Sequence, residues 1–256
     1  MTSVGFESKC EELLAICEGM VSEMKEGMVD DLEYMCQVFF LRQIQHMGSI
    51  LKLKGECDSQ LISRSMFEGA LYLMYAKKDR RVARRWRLYC VVVDKQRMDE
   101  ADLRGVFTPL DVREMVEELL PECDELFKGA DGEYAQTWRE GESIHSIVKK
   151  VGFERLYDEY YYPMSDYHHW GTVSVGKRYA ISDGGLRVVD SSVTDSDRVS
   201  ALLLAISCLL SSADLANFLL RCSAKDILGE FKSSLFQIPS LVVNTIPVKE
   251  NGFIGV

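Results

Sequence analysis

The stretch VSALLLAISCLL at residues 199–210 decides the fold, because large apolar side chains occur on nearly every side of the helix that it would form. Thr194 or Ser196 is suited to cap this helix, which we predict to run to Cys222. A helix that is apolar all round is usually covered by other helices in a protein core. The run is too short and too rich in serine to cross a bilayer. It therefore predicts a helical protein built around one central helix.

Amphipathic periodicity predicts further helices across the first two-thirds of the chain. Apolar residues recur at intervals of three and four, with charged residues on the opposite side. Pro163 is expected to kink the last of these helices, because proline lacks an amide donor and its ring collides with the carbonyl four residues earlier. The predicted helices cover residues 6–25, 32–53, 60–76, a segment after Asp79, and residues 110–127, 144–151 and 154–169.

The last third of the chain changes pattern on either side of the central helix. Two short runs at residues 177–181 and 186–189 flank a Ser-Asp-Gly-Gly turn, which predicts a small β-hairpin over residues 176–190. Residues 237–256 contain two prolines and several β-branched residues, and we expect them to form an extended C-terminal tail. We predict an all-α (mainly α) fold. It would be a compact multi-helix bundle with that hairpin and tail, in a single helical domain spanning residues 1–256.

Composition narrows the class of protein. The chain has 256 residues, of which 47% are hydrophobic, so it can bury a large core. No apolar stretch follows a basic start near the N-terminus, and we therefore expect no secretory signal. Eight cysteines are scattered without a C-x-x-C pair. This usage is typical of buried thiols in a reducing cytoplasm and unlike a zinc site. We predict a cytoplasmic location, no membrane contact, and neither metal nor cofactor.

Charge is unevenly distributed along an acidic chain whose net charge is −10. Residues 77–97 hold nine basic and two acidic residues, whereas residues 99–142 hold fourteen acidic and four basic ones. Two alternatives stay open: the segments pair with each other, or the basic helix forms a phosphate-tracking surface for nucleic acid. The candidate nucleic-acid-binding residues are Lys77, Arg80, Arg81, Arg84, Arg85 and Arg87.

A spaced set of polar and aromatic residues forms the candidate site. The set is Tyr157, Tyr161, Ser165 and His169, and residues four apart lie along one side of a helix. Arg64 and Glu68 are one helical turn apart on an otherwise apolar helix about ninety residues earlier. We expect these two stretches to meet. The meeting would make either a buried structural polar network or a pocket that binds and acts on a ligand.

The pocket alternative assigns a role to each candidate catalytic residue: Arg64, Glu68, Tyr161, Ser165 and His169. His169 titrates near neutral pH and would serve as general acid or base. Arg64 would hold a phosphate or another anion, and Glu68 would orient Arg64 or His169. The tyrosines would stack on a base or close the pocket. This chemistry suits metal-independent cleavage of RNA, or nucleotide binding.

A metal site is a weaker alternative at the same place. Glu68, Asp166, His168 and His169 carry ligand atoms, but helix-bundle carboxylate sites usually contain a Glu-x-x-His repeat, which this chain lacks. Acyl transfer by Ser165 is disfavoured because a serine and a histidine on one helix lack the oxyanion donors that this reaction needs.

Three segments together resemble a known family. They are RSMFE at residues 64–68 with VARRWRLY at residues 82–89, WREGESIH at residues 138–145, and the stretch from Leu156 to His169 that ends in SDYHH. In this order they resemble the prokaryotic domain-of-unknown-function family 5677, over residues 58–175. The resemblance implies an all-helical domain and no established activity. Arg139 and His145 are only weakly similar to the Arg–His spacing of HEPN-type helical RNases.

Two functions from different classes follow from these patterns. The first is a metal-independent RNase-like or nucleotide-acting protein of a defence or toxin type, for example in antiviral defence, with RNA or a nucleotide as its partner. The second is a non-enzymatic interaction module in which the Arg64, Glu68 and His169 set is a structural polar network. Its partner would be another protein or a second copy of the chain.

Overall fold

The computed structural model describes residues 3–24, 29–53, 57–168, 179–182, 185–188 and 195–236. Helices dominate these residues, which confirms the mainly α prediction. The elements in chain order are α1 (Ser3–Glu23), α2 (Asp31–Leu53), α3 (Cys57–Lys78), α4 (Arg80–Leu103), α5 (Leu110–Phe127), α6 (Ile144–Val151), α7 (Glu154–Leu156), a π turn (Tyr157–Tyr161), α8 (Tyr162–His168), β1 (Tyr179–Ser182), β2 (Gly185–Val188), α9 (Asp195–Leu219) and α10 (Lys225–Phe236).

Backbone contacts divide the chain into two units. Unit 1 comprises Met1–Glu26, Cys36–Leu71 and Gly152–Val256, and unit 2 comprises Gly27–Met35 and Tyr72–Val151. Helices α2 and α3 each begin in one unit and end in the other. The prediction of one domain over residues 1–256 stays a prediction.

Helix α9 is the core helix of unit 1, as its sequence predicts. Most of its residues between Ala201 and Ala216 are buried, on every side of the helix. It packs along α1, and Ser63 of α3 donates a 3.0 Å hydrogen bond to the carbonyl of Ala201. By length and composition α9 would also qualify as a membrane span, but 67% of the apolar window is buried inside the protein. That burial is typical of a core helix.

A close approach of α2 and α3 sets the position of the candidate site in unit 1. The Gln43 side chain of α2 donates a 2.7 Å hydrogen bond to the carbonyl of Met66 in α3. A Cβ atom on Gly69 would lie 2.9 Å from Nε2 of Gln43. Glycine at this position therefore lets the two helices approach closely, one residue away from Glu68.

Unit 2 is organised around the helical hairpin of α4 and α5. Asp79 caps α4 by accepting a hydrogen bond from the amide of Arg81. Helix α5 runs through Pro121 without ending there. The facing apolar sides of the two helices form the core of this unit, which contains Leu88, Val91, Val92, Met98, Val116, Cys123 and Phe127.

Pro163 does not end the helix that carries the candidate site. Residues 157–161 adopt a π turn, in which the amide of Tyr162 donates to the carbonyl of Tyr157, and α8 follows directly. The predicted clash of Pro163 falls on the carbonyl of Glu159, which lies inside this turn. The helix therefore accommodates the proline by widening one turn, a form that often occurs at functional sites.

Two short strands lie in the segment for which a hairpin was predicted. β1 and β2 pair antiparallel, with Tyr179 opposite Val188 and Ser182 opposite Gly185. The two residues between the strands lie outside the described residues, and so does the predicted tail at residues 237–256.

Candidate functional site

Arg64 and Glu68 form an ion pair within α3. Nε of Arg64 lies 3.4 Å from Oε1 of Glu68, and their side chains are 14% and 31% exposed. The pair follows from helical geometry, because residues four apart are neighbours on one side of a helix. Its burial is uneven: the guanidinium is largely covered, whereas the carboxylate reaches solvent.

Tyr161 joins this pair from the π turn. Its hydroxyl donates a 2.8 Å hydrogen bond to Oε1 of Glu68. The guanidinium of Arg64 lies 5.0 Å from the centre of the Tyr161 ring, a cation–π distance. The structure thus brings together three predicted site residues, Arg64, Glu68 and Tyr161, from two stretches far apart in sequence. We call these three residues the Arg64 site.

An aromatic cluster holds Tyr161 in place. The Tyr161 ring packs 4.6 Å from Phe67 and stacks 5.2 Å from Tyr157, measured between ring centres. Phe67 also contacts Phe153. Sequence reasoning gave Phe67 no role, although it lies inside the RSMFE motif, one position before Glu68. The motif therefore supplies both the polar pair and the apolar surface on which its tyrosine partner rests.

The environment of Tyr161 fixes its protonation state. Burial raises the pKa of the Tyr161 phenol well above its usual range, and the nearby Glu68 carboxylate raises it further. Arg64 opposes this shift. Tyr161 therefore stays protonated at neutral pH and acts as a hydrogen-bond donor to Glu68. It is unsuited to serve as a general base.

Arg64 is the unsatisfied member of the site. Its Nε and Nη1 atoms are buried without a hydrogen-bond partner among the described residues. The contact of Nε with Glu68 at 3.4 Å is an ion pair by distance, but its geometry is not that of a hydrogen bond. A guanidinium keeps its charge at any physiological pH, so burying its donors without acceptors is costly. An anion placed against these donors would remove that cost.

The two remaining candidate residues are only partly described. Ser165 is half-buried in α8, and the described hydrogen bonds include none from it to Arg64, Glu68 or Tyr161. His169 and the side chains of residues 166–168 lie outside the described residues. The predicted meeting of His169 with Arg64 and Glu68 therefore stays a prediction.

One further histidine lies near this segment of α3. Nε2 of His46 in α2 lies 3.3 Å from the hydroxyl of Ser65, the residue after Arg64. Burial lowers the pKa of His46, and the positive charge of Arg42 lowers it further. This shift favours the neutral imidazole at neutral pH. No sequence pattern indicated this pair, because it depends on how α2 and α3 pack.

The basic helix α4 is largely neutralised by carboxylates of its own unit. Arg84 binds Asp31 and Glu122, Arg87 binds Asp31, Arg80 binds Asp30, and Arg81 binds Asp79. Arg85 is buried, with its guanidinium 4.5 Å from the Phe127 ring and hydrogen-bonded to backbone carbonyls. Lys77 is exposed at the end of α3. Of these carboxylates only Glu122 belongs to the acidic segment at residues 99–142, so the contacts neutralise α4 chiefly from outside that segment. Both alternatives for the basic helix stay predictions.

Among the side chains that the structure describes, no group of three or more His, Cys, Asp and Glu is placed to hold a metal ion. Two of the histidines in the weaker metal alternative, His168 and His169, fall outside that set.

Comparison with known proteins identifies the family. The family model described as a family of unknown function, DUF5677, matches residues 33–185. This match covers more than half of the chain and includes the Arg64 site, so the chain belongs to this family. It also extends further in both directions than the three motifs alone predict. Neither the curated proteins nor the solved structures contained a significant match.

Proposed function

We propose that this member of the DUF5677 family binds the phosphate of RNA or of a nucleotide at the Arg64 site, and acts on it as a metal-independent, RNase-like or nucleotide-acting protein. The observation that carries the proposal is the buried guanidinium of Arg64, with Nε and Nη1 lacking acceptors. A phosphate oxygen is a strong acceptor and supplies the negative charge that this group needs.

The arrangement around Arg64 supports ligand binding at this position. Glu68 and Tyr161 both contact the guanidinium of Arg64. The hydroxyl of Tyr161 donates a hydrogen bond to the Glu68 carboxylate, and its ring packs against the guanidinium. The carboxylate is 31% exposed, so the site extends to the protein surface. The Arg64 side chain is itself 14% exposed, and a pre-positioned guanidinium near the surface suits capture of a small anionic group.

His169 would supply the chemistry on RNA. In this proposal it accepts the proton of a 2′-hydroxyl, and the 2′-oxygen attacks the adjacent phosphorus. The 5′-oxygen leaves and takes up a proton from water, which yields a 2′,3′-cyclic phosphate and a 5′-hydroxyl. Arg64 would stabilise the charge that develops on the phosphate. Ser165 would hydrogen-bond to the same group. A role in prokaryotic antiviral defence and a cytoplasmic location belong to this proposal.

The test compares RNA cleavage and thermal stability in the same variants. His169→Ala and Arg64→Lys should abolish cleavage of a short RNA while leaving the melting temperature close to that of wild type. Arg42→Lys is the matched control, because Arg42 is an exposed arginine of the same unit. Wild-type protein that neither cleaves RNA nor binds a mononucleotide would refute the proposal.

The second candidate function is a non-enzymatic interaction module. Two observations favour it: Tyr161 is only 4% exposed, and the arginines of α4 are committed to internal carboxylates. In this alternative Arg64, Glu68 and His169 lock the core, and the C-terminal tail at residues 237–256 binds a protein partner. It predicts a fall of several degrees in melting temperature for both Arg64→Lys and His169→Ala, with no activity in any of the proteins.

A further inference from the structure

Large apolar side chains are exposed in the loop that joins α4 and α5 and on the adjoining parts of these two helices. Leu103 is 88% exposed, Phe107 83% and Leu110 65%. Val106 and Met115 are also exposed. We call these five residues the apolar tip. Soluble proteins scatter single apolar residues over their surface, but a run of this kind commonly marks a binding surface.

The apolar tip is built on ordered backbone. The amides of Arg104, Gly105 and Val106 donate to carbonyls in the last turn of α4, and Gly105 has a positive φ of 64°. This pattern is a regular helix C-terminus. Arg113 of α5 binds Asp102 of α4 through two contacts, which ties the start of one helix to the end of the other. These contacts hold the end of α4 and the start of α5, on and between which the exposed apolar side chains lie.

A band of unpaired negative charge continues from the tip along α5. Five exposed acidic residues share one side of this helix with Leu110, opposite the side that packs on α4, and Met115 lies at the edge of that side. Within the described part of the chain none of the five forms an ion pair, unlike the paired acidic residue Glu122 of the same helix. The five are Asp111, Glu114, Glu117, Glu118 and Glu125.

We propose that the apolar tip and the acidic side of α5 form a docking surface for a basic amphipathic segment of another protein. Apolar side chains of that segment would cover Phe107, Leu110 and their neighbours, while its lysines and arginines would face the five carboxylates. Complementary charge selects this occupant. Nucleic acid and anionic lipid carry the same sign as α5 and are disfavoured. A two-fold contact between copies would bring the acidic sides together, so a second copy is disfavoured too.

The probe is a fluorescent amphipathic peptide of about 14 residues made of leucine and lysine, with a leucine–glutamate peptide of the same pattern for comparison. Binding is measured by fluorescence anisotropy at about 0.15 M salt, where surface charges are substantially screened. Wild-type protein should bind the lysine peptide and not the glutamate peptide. Phe107→Ser with Leu110→Ser should raise Kd at least about tenfold, because buried aromatic anchors carry much of the affinity of an interface.

A charge variant tests the second half of the surface. Glu114→Lys, Glu117→Lys and Glu118→Lys together should also raise Kd at least about tenfold. The matched control places the same charge change in unit 1, at the exposed residues Glu11, Glu18 and Glu230. Ile227→Ser is the apolar control, since Ile227 is 48% exposed on α10. Both controls should stay within about twofold of wild type.

Several outcomes would overturn the proposal. In the first, wild-type protein does not bind the lysine peptide. In the second, the α5 charge variant and the unit 1 control raise the Kd for this peptide equally. The proposal would also fail if the protein did not bind the peptide but self-associated in sedimentation in a way that depends on Phe107. Flotation with phosphatidylglycerol vesicles that depends on Phe107, again without peptide binding, would have the same meaning. Both variants alter exposed residues only, so circular dichroism should show the helix content of wild type. Loss of RNA cleavage by Arg64→Lys leaves this result unchanged, which separates the two proposals.

Discussion

The hydroxyl of Tyr161 donates a 2.8 Å hydrogen bond to Glu68, a residue 93 positions earlier in the chain. This contact joins the π turn to α3 and completes the surroundings of the Arg64 guanidinium. Because Glu68 accepts from Tyr161 and pairs with Arg64, the carboxylate is the shared member of the site. The three residues should therefore respond differently to substitution.

Removal of the Tyr161 hydroxyl should destabilise the protein moderately. Tyr161→Phe keeps the ring contacts with Phe67 and Tyr157 but removes the donor to Glu68. We expect the free energy of unfolding to fall by about 1–2 kcal/mol, since one hydrogen bond to a charged group is lost. Urea denaturation measures this change. Tyr162→Phe is the control, because Tyr162 is 66% exposed and should change stability by less than about 0.5 kcal/mol.

The two charges of the Arg64 site should be unequal in their effect on stability. Glu68→Ala removes the only described carboxylate that pairs with Arg64 and leaves its guanidinium uncompensated. With Glu68 partly exposed, we expect a loss of about 1–3 kcal/mol. Arg64→Met removes a buried group whose Nε and Nη1 already lack acceptors, and should cost less. Equal losses, or a larger loss for Arg64→Met, would show that Arg64 is chiefly a structural residue.

The close approach of α2 and α3 predicts that Gly69 does not tolerate a larger side chain. Gly69→Ala would place a Cβ atom 2.9 Å from Nε2 of Gln43, which must then move away from the carbonyl of Met66. We expect a loss of about 1–3 kcal/mol in unfolding free energy. Gly19→Ala in α1 is the control, because a Cβ atom there meets nothing within 4 Å. That change should stabilise the protein by up to about 1 kcal/mol, the usual gain of alanine over glycine inside a helix.

The half-buried histidine of α2, His46, predicts a dependence of stability on pH. The pKa of His46 is lowered in the folded protein from the usual value of 6.5. The unfolded chain therefore binds the proton more tightly, and stability is full above pH 6.5 and falls as the pH is lowered through the folded pKa.

His46→Gln should reduce the loss of stability between pH 7 and pH 5, which urea denaturation at each pH measures. His145→Gln, at an exposed position of α6, serves as the control. If both substitutions left the pH profile of wild type unchanged, the account of His46 would be wrong.

Most of the helices could be predicted from the sequence because they depend on local periodicity. The apolar pattern of α9 predicted its burial, and the four-residue spacing of Arg64 and Glu68 placed them on one side of α3. The meeting of this pair with Tyr161 was also predicted from the pattern of polar residues. These inferences needed only helix geometry and the expectation that apolar surfaces are covered.

The remaining features depend on contacts between distant segments. The sequence does not show that Phe67 would support Tyr161, that Gly69 would lie against Gln43, or that His46 would contact Ser65. Each follows from the packing of α3 against α2 or against the π turn. The charge pattern also did not show that Asp31, which lies outside the acidic segment at residues 99–142, would pair with Arg84 and Arg87 of α4. Pro163 predicted a kink in the helix, but the sequence did not show that a π turn would accommodate the proline.

The proposed function depends on the guanidinium of Arg64 as a binding group for phosphate. The most direct test is the change in melting temperature when a mononucleotide is added to wild-type protein and to Arg64→Met. Ligand that binds only the folded state raises the melting temperature with concentration. We expect a rise in melting temperature for wild type and for the Arg42→Met control, and none for Arg64→Met. An equal rise in all three proteins, or no rise in wild type, would contradict it.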